Sequence, residues 1–320
     1  MNFEFLHPKD QIITIMKRIY DGGMTTLSGG NLSILDDEGN IWITPAGVDK
    51  GKLSPSDIVC IRSSGKSTGL HKPSSELPFH QAIYRRRPDL RAIVHAHPPT
   101  LVAYSITGKT PDTRYISQAR RTCSAIAYAP YGLTGSVELG ENIAETFSQV
   151  ADIVLLENHG VVCGGFTILE AYQRMEALDF CARTLVNAQR YGQEKLILDP
   201  DFQKYLYRER ILPEFKPGPP TLREKQLRNE IVEVVQRSCD RQLMNSTQGI
   251  VSARLDENSF LIVPNTVDRF TLSPDDIVLI KDRKRAKGRV ANRYVALHAT
   301  IYRMNPKIGS VITAQCPSAM

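Results

Sequence analysis

The sequence predicts an α/β protein arranged as two copies of one domain, the second of them incomplete. Short apolar runs bounded by turn residues read as buried strands, and longer stretches with apolar residues at helical spacing read as helices. A block from the start of the chain recurs near its end. The 320 residues, 42% hydrophobic and 23% charged, suffice for two globular domains.

Residues 76–86 read as a helix, and Ser74 and Ser75 just before it suit its cap. Residues 92–97 read as a short buried strand. Because strand side chains alternate, His95 and His97 then point to the same face. Ile153-Val154-Leu155-Leu156 reads as another strand, and Gly160 permits a sharp turn at its end, beside His159. Residues 168–191 carry apolar positions at helical spacing and read as the closing helix of the first domain. Residues 198–223, with Pro200, Pro213, Pro217, Pro219 and Pro220, read as a linker flanking a short helix at 202–210. The expected domains are therefore 1–197 and 224–320.

The repeat is read in register. VDKGKLSPSDIVCI at 48–61 returns as VDRFTLSPDDIVLI at 267–280, a displacement of 219 positions. Residues 30–33 line up with 249–252 and, one residue being deleted, 80–85 with 298–303. The second copy has lost chemically useful residues: Asn31 becomes Ile250, Glu76 becomes Tyr294, His95 becomes Thr313 and His97 becomes Gln315. Nothing follows that matches 103–190, so the sequence reads as a fragment of a longer protein.

Glu76, His95, His97 and His159, with the hydroxyls of Ser74 and Ser75, form a set that can hold a divalent metal beside a phosphate. A catalytic zinc site usually has three protein ligands and keeps a position open. Each histidine alone also suits an ordinary polar position at a core edge. His80 follows Glu76 by one helical turn and reads as a core or surface position, outside the metal set. His71 falls in a loop, and His7 and His298 have no ligand-like neighbours in sequence.

Taken in order, Gly29-Gly30-Asn31-Leu32-Ser33, Ile43-Thr44-Pro45-Ala46-Gly47, Leu53-Ser54-Pro55-Ser56-Asp57-Ile58-Val59, Pro73-Ser74-Ser75-Glu76, His95-Ala96-His97 and Asn158-His159-Gly160 resemble the class II aldolase and adducin superfamily. The resemblance covers roughly residues 10–190 and is nearest to the L-fuculose-1-phosphate aldolase branch. It implies a three-layer α/β/α fold around a central, mostly antiparallel sheet, and a homo-oligomer, a ring-shaped tetramer with sites between subunits. It further implies that His95, His97 and His159 bind zinc and that Glu76 is the catalytic acid/base. Gly30, Asn31, Gly47, Ser74 and Ser75 match positions that bind the substrate phosphate. Tyr115 stands one position away from the family's interface tyrosine and suits packing as well.

The implied reaction cleaves a ketose 1-phosphate, L-fuculose 1-phosphate, into dihydroxyacetone phosphate and L-lactaldehyde. Cleavage leaves negative charge on the dihydroxyacetone phosphate half, which a chelated metal spreads as an ene-diolate. Glu76 would move the proton, its pKa raised by burial and lowered by the metal. The phosphate carries no reacting bond and anchors the substrate, held by glycine amides, serine hydroxyls and a helix N-terminus. Imidazoles and a carboxylate also accept cobalt, nickel or manganese. Rival readings are epimerisation or dehydration of a sugar phosphate, cleavage of rhamnulose 1-phosphate, and an adducin-like, metal-free interaction protein.

Other partners are disfavoured. The net charge of +6 includes a basic run at 281–289 that matches the loop at 62–72 and reads as a solvated loop, without the interleaved aromatics that nucleic-acid stacking needs. Charged residues near the start argue against a signal peptide, and no run approaches membrane-spanning length. Six cysteines without paired metal spacing suit free thiols in a reducing cytoplasm.

Overall fold

A computed structural model describes residues 3–148, 151–192, 195–206 and 212–316. The chain divides into two compact units, residues 1–196 and 197–320.

The first unit begins with helix α1 (Pro8–Asp21), opened by Pro8 and capped by His7, whose ring accepts the Lys9 amide. Strands β1 (Asn31–Leu35), β2 (Ile41–Ile43), β3 (Val59–Ile61) and β4 (Ser67–Thr68) follow. Helix α2 (Leu77–Arg86), strand β5 (Ala92–Ala96) and helices α3 (Pro99–Ile106) and α4 (Ser117–Cys123) come next. The unit closes with β6 (Ile126–Ala129), α5 (Val137–Ser148), β7 (Ile153–Leu156), β8 (Gly160–Gly165) and α6 (Ile168–Ala188).

The eight strands form one sheet in the order β4-β3-β2-β1-β5-β8-β7-β6. Alternation along β5 divides its side chains between two cores. Ala92, Val94 and Ala96 pack with α1, α3, α4 and α6, whereas Ile93 packs with α2 and α5 through Phe79, Ile83, Ile143 and Phe147. The result is helices on both faces of a sheet. The expectation of a mostly antiparallel sheet needs a correction: the sheet is mixed, because α5 carries the chain across from β6 to a parallel β7.

The second unit contains α7 (Asp199–Leu206), β9 (Glu214–Phe215), α8 (Leu222–Asp240), β10 (Ile250–Arg254), β11 (Ser259–Ile262), β12 (Val278–Lys281), β13 (Lys284–Ala286), α9 (Val295–Met304) and β14 (Ser310–Thr313). Its sheet runs β14-β10-β11-β12-β13-β9 and is likewise mixed, β9 lying parallel to β13. One face packs on α8 and the other on α9. The proline-rich stretch thus supplies a helix and an edge strand, not only a connection. The expected helix at 202–210 starts earlier, at Asp199, and residues 207–211 lie outside the described residues. The basic run at 281–289 is a hairpin of β12 and β13 and not a plain loop.

Among the described residues no helix is long and apolar enough to cross a membrane. All six cysteines are free, five of them buried.

Phe147 is fully buried between α5 and the sheet. Phe147→Ala should lower the stability of the first unit by about 3–5 kcal/mol. Trp42, the one tryptophan of the chain, lies in that unit and reports its urea unfolding by fluorescence. A loss below about 1 kcal/mol would contradict the placement of this side chain.

Candidate functional site

The site forms where β1 and β5 lie side by side with Asn31 opposite His95. His95 shares the face of Ile93, beneath α2, and its ring meets Phe79 of that helix edge-on at 5.6 Å. His97 follows the last residue of β5 on the same face. His159 ends the tight turn from β7 to β8, in which Asn158 adopts a positive φ of 54° that asparagine tolerates. Close packing keeps the rings together: a Cβ on Gly160 would lie 2.7 Å from both Ala96 O and His97 Cδ2.

Ligand atoms of His95, His97 and His159 lie within 4.8 Å of one another, the one such cluster of histidine, cysteine and carboxylate groups among the described residues. Glu76 precedes α2 at its N-cap, and its carboxylate turns away from the helix end into the cluster. Its Oε2 lies 3.2 Å from His95 Nε2 and its Oε1 3.6 Å from His159 Nε2.

His95 Nδ1 donates to Val161 O at 3.0 Å, and its Nε2 faces His97 Nε2, also 3.0 Å away. Glu76 Oε1 is buried without a hydrogen bond. Ring nitrogens of three imidazoles close to one another, beside a carboxylate oxygen without a hydrogen bond, fit a divalent cation, and the bond from His95 Nδ1 to Val161 O leaves Nε2 as the ligand atom.

Burial raises the Glu76 carboxyl, but the His95 imidazole, the Asn31 amide and His159 outweigh it and hold the group below the ordinary carboxylate range. The expected upward pull is present and loses. Burial, with His95 nearby, pushes His97 down to about 3 and His159 down to about 4, so both rings are neutral near pH 7.

Asn31 is buried, and its side chain is committed on both sides. Nδ2 donates to Glu76 Oε2 at 2.6 Å, and Oδ1 meets His80 Nε2 at 2.5 Å. The other proposed anion-binding positions converge through the main chain. Ser74 N donates to Thr44 O, Ala46 N to Lys72 O, and Leu32 N to Thr44 Oγ1, so the Gly47 loop is tied to both β1 and the segment before α2. Gly30 and Gly47 have φ of 70° and 69°, and Gly47 faces open space. Ser74 Oγ accepts the Glu76 amide at 3.3 Å, while Ser75 is exposed.

Sequence reasoning missed two features here. His80, set aside as a helix position, is fully buried and bonded to Asn31 and Ser33. The signal was available, since serine, histidine and tyrosine occur in the same order and at nearly the same spacing as Ser33, His80, Tyr84 and as Ser252, His298, Tyr302. Lys50 is buried with its ammonium on Pro45 O at 2.6 Å, bracing the Gly47 loop from within. Tyr115 packs partly buried against the first core, and His71 pairs with Asp57 at 2.8 Å, away from the histidine cluster.

A profile of the class II aldolase and adducin N-terminal domain matches residues 10–186 and 229–320. An L-fuculose phosphate aldolase of Methanococcus maripaludis is 37% identical over 179 residues, 54% of this chain and 93% of that protein. A 3-oxo-tetronate 4-phosphate decarboxylase of Haemophilus influenzae is 30% identical over 191 residues, 58% of this chain and 89% of that protein. The solved structure of an L-fuculose 1-phosphate aldolase superposes with a TM-score of 0.55 and 29% identity over 62% of this chain and 96% of that one.

Burial lowers the Lys50 ammonium to about 8 from its ordinary value of 10.5. Between those values the unfolded chain holds a proton that the folded chain releases, so this group makes stability rise with pH in that window. Raising pH from 8 to 10 should therefore stabilise the wild-type first unit relative to Lys50→Met, read from Trp42 fluorescence in urea. Parallel pH profiles for the two proteins would refute it.

Proposed function

The chain belongs to the class II aldolase and adducin family, and on that premise we propose that its first unit is a zinc-dependent aldehyde-lyase cleaving L-fuculose 1-phosphate, or a close ketose 1-phosphate, to dihydroxyacetone phosphate and L-lactaldehyde. The observation that carries this reading is the cluster of His95, His97 and His159 against a buried glutamate whose Oε1 has no hydrogen bond. The three histidines would hold the metal, with cobalt, nickel or manganese as substitutes. When bound, the metal supplies Lewis-acid stabilisation of the charge that carbon–carbon cleavage leaves beside the carbonyl.

Glu76 does the proton transfer. Asn31 and His95 both lie against Oε2, which leaves Oε1 as the atom that takes the proton from the substrate hydroxyl or carbon and returns it. Gly30, Asn31, Gly47, Ser74 and Ser75 anchor the phosphate, with Asn31 contributing main chain because its amide is engaged. Their role is orientation: binding energy at the phosphate holds the reacting bond against Glu76.

The second unit, on the same reading, is a degenerate copy, with domains at 1–197 and 224–320 joined by 198–223. The match of the family profile to 229–320 supports this, as does the recurrence of the Ser252, His298 and Tyr302 cluster beside Ile250, Tyr294 and Thr313. Such a copy keeps the fold without the site, an adducin-like condition. A homo-oligomer is part of the proposal, testable by sedimentation.

The test is metal content measured together with dihydroxyacetone phosphate release from L-fuculose 1-phosphate. One metal per chain with release is expected. His95→Ala should lose both, and Glu76→Gln should keep metal and slow release by about 10²–10⁴-fold. Unimpaired turnover in either variant would refute the assigned role. The Haemophilus influenzae relative supports a second reading, decarboxylation of 3-oxo-tetronate 4-phosphate, which also breaks a bond beside a ketone. Bound metal without release from the ketose phosphate would favour it.

A further inference from the structure

A chain of buried hydrogen bonds runs from Glu76 away from the histidine cluster into the layer between β1 and α2. Asn31 Nδ2 meets Glu76 Oε2 at 2.6 Å, Asn31 Oδ1 meets His80 Nε2 at 2.5 Å, and His80 Nδ1 meets Ser33 Oγ at 2.7 Å. Ser33 Oγ in turn meets Tyr84 OH at 2.7 Å. Strand and helix periods make this possible, since Asn31 and Ser33 share one face of β1 while His80 and Tyr84 share one face of α2.

The carboxylate sets the first donors in this chain, and the neutral His80 ring sets the rest. An ionised carboxylate only accepts, so Asn31 must present its NH₂ to Glu76 and its carbonyl oxygen to His80. His80 Nε2 must then carry hydrogen. Burial keeps the His80 ring neutral, so its Nδ1 accepts from the Ser33 hydroxyl, whose oxygen accepts from Tyr84. With the ring neutral, no other assignment satisfies all four contacts.

We propose that His80 is a positioning residue: as the Nε2–H tautomer, held by Ser33 and Tyr84, it fixes the Asn31 amide so that its NH₂ stays on Glu76 Oε2 and the carboxylate is held in place with Oε1 free of hydrogen bonds. The inference rests on the proposed function only for its effect on turnover. Without the His80 donor the Asn31 amide can rotate, and its oxygen then repels the carboxylate it formerly held.

The second unit separates this role from simple bracing. Ser252 Oγ meets His298 Nδ1 and Tyr302 OH at 2.7 Å each, matching the first unit. There His298 Nε2 ends on Thr313 Oγ1 at 3.1 Å, and Ile250 stands at the Asn31 position. The serine, histidine and tyrosine tie helix to strand in both units, and the first unit alone extends that tie to a carboxylate.

The test compares His80→Gln, whose amide retains a donor for Asn31, with His80→Leu, which retains none. In the metal-loaded full chain, His80→Leu should lower kcat for L-fuculose 1-phosphate about 10–100-fold with KM nearly unchanged, and His80→Gln should recover most of the loss. Wild-type kcat in His80→Leu at full metal load, or equal losses in the two variants, would overturn the proposal. A second readout needs neither substrate nor a His80 variant. In long-range ¹H–¹⁵N spectra of histidine-labelled chain, His80 should be the Nε2–H tautomer, its Nε2 resonance moving in Asn31→Leu. An Nδ1–H tautomer, or a resonance indifferent to Asn31, would overturn the inference even if wild type cleaved no sugar phosphate, a result that would refute only the proposed activity.

Discussion

Burying an ionised carboxylate among imidazoles is the constraint on which the first unit depends. A carboxylate removed from water must be hydrogen-bonded or paired, or it takes up a proton instead. Glu76 meets that demand with the Asn31 amide on one oxygen and the histidine cluster beside both. Each partner is placed by a different element: Asn31 by β1, His95 by β5, His159 by the turn into β8. The order of strands that puts β1, β5 and β8 side by side is therefore what assembles the site.

The two units show which interactions belong to the scaffold and which to the chemistry. Both bond a strand serine to a helix histidine and tyrosine at the same distances, and both place a buried cation at corresponding positions, Lys50 and Arg269. Arg269 donates to Gly249 O, and Lys50 to Pro45 O, so each braces loops near the sheet edge from inside. These contacts stabilise helix and loop whether or not a reactive group is nearby. Among the described residues the carboxylate, the amide that holds it and the three imidazoles occur together in the first unit alone, so the demands of a carboxylate buried among imidazoles arise only there.

Much of the candidate site was legible because it is made of short motifs. Strand alternation alone put His95 and His97 on one face, and the apolar run before His159 placed that residue at a strand end, as found. The parallel pairing of β6 with β7 was not legible, since no local pattern in either strand distinguishes a parallel neighbour from an antiparallel one. The basic run at 281–289 misled because charge on an exposed hairpin looks like charge on a loop. His80 carries a mark only in its recurrence with serine and tyrosine, because its place one turn beyond Glu76 says nothing of what its ring touches.

The sequence by itself determined the inventory: which residues can carry charge, accept protons or turn sharply, and the local periods that give each strand and helix its faces. Only the tertiary structure decided partnership. The Asn31 amide, placed beforehand among phosphate-binding groups, is held between Glu76 and His80, residues 45 and 49 positions away. The reason is physical: a hydrogen bond depends on distance and angle within a few tenths of an ångström. Such precision comes from the packing of α2 against the sheet, where all the elements contribute at once.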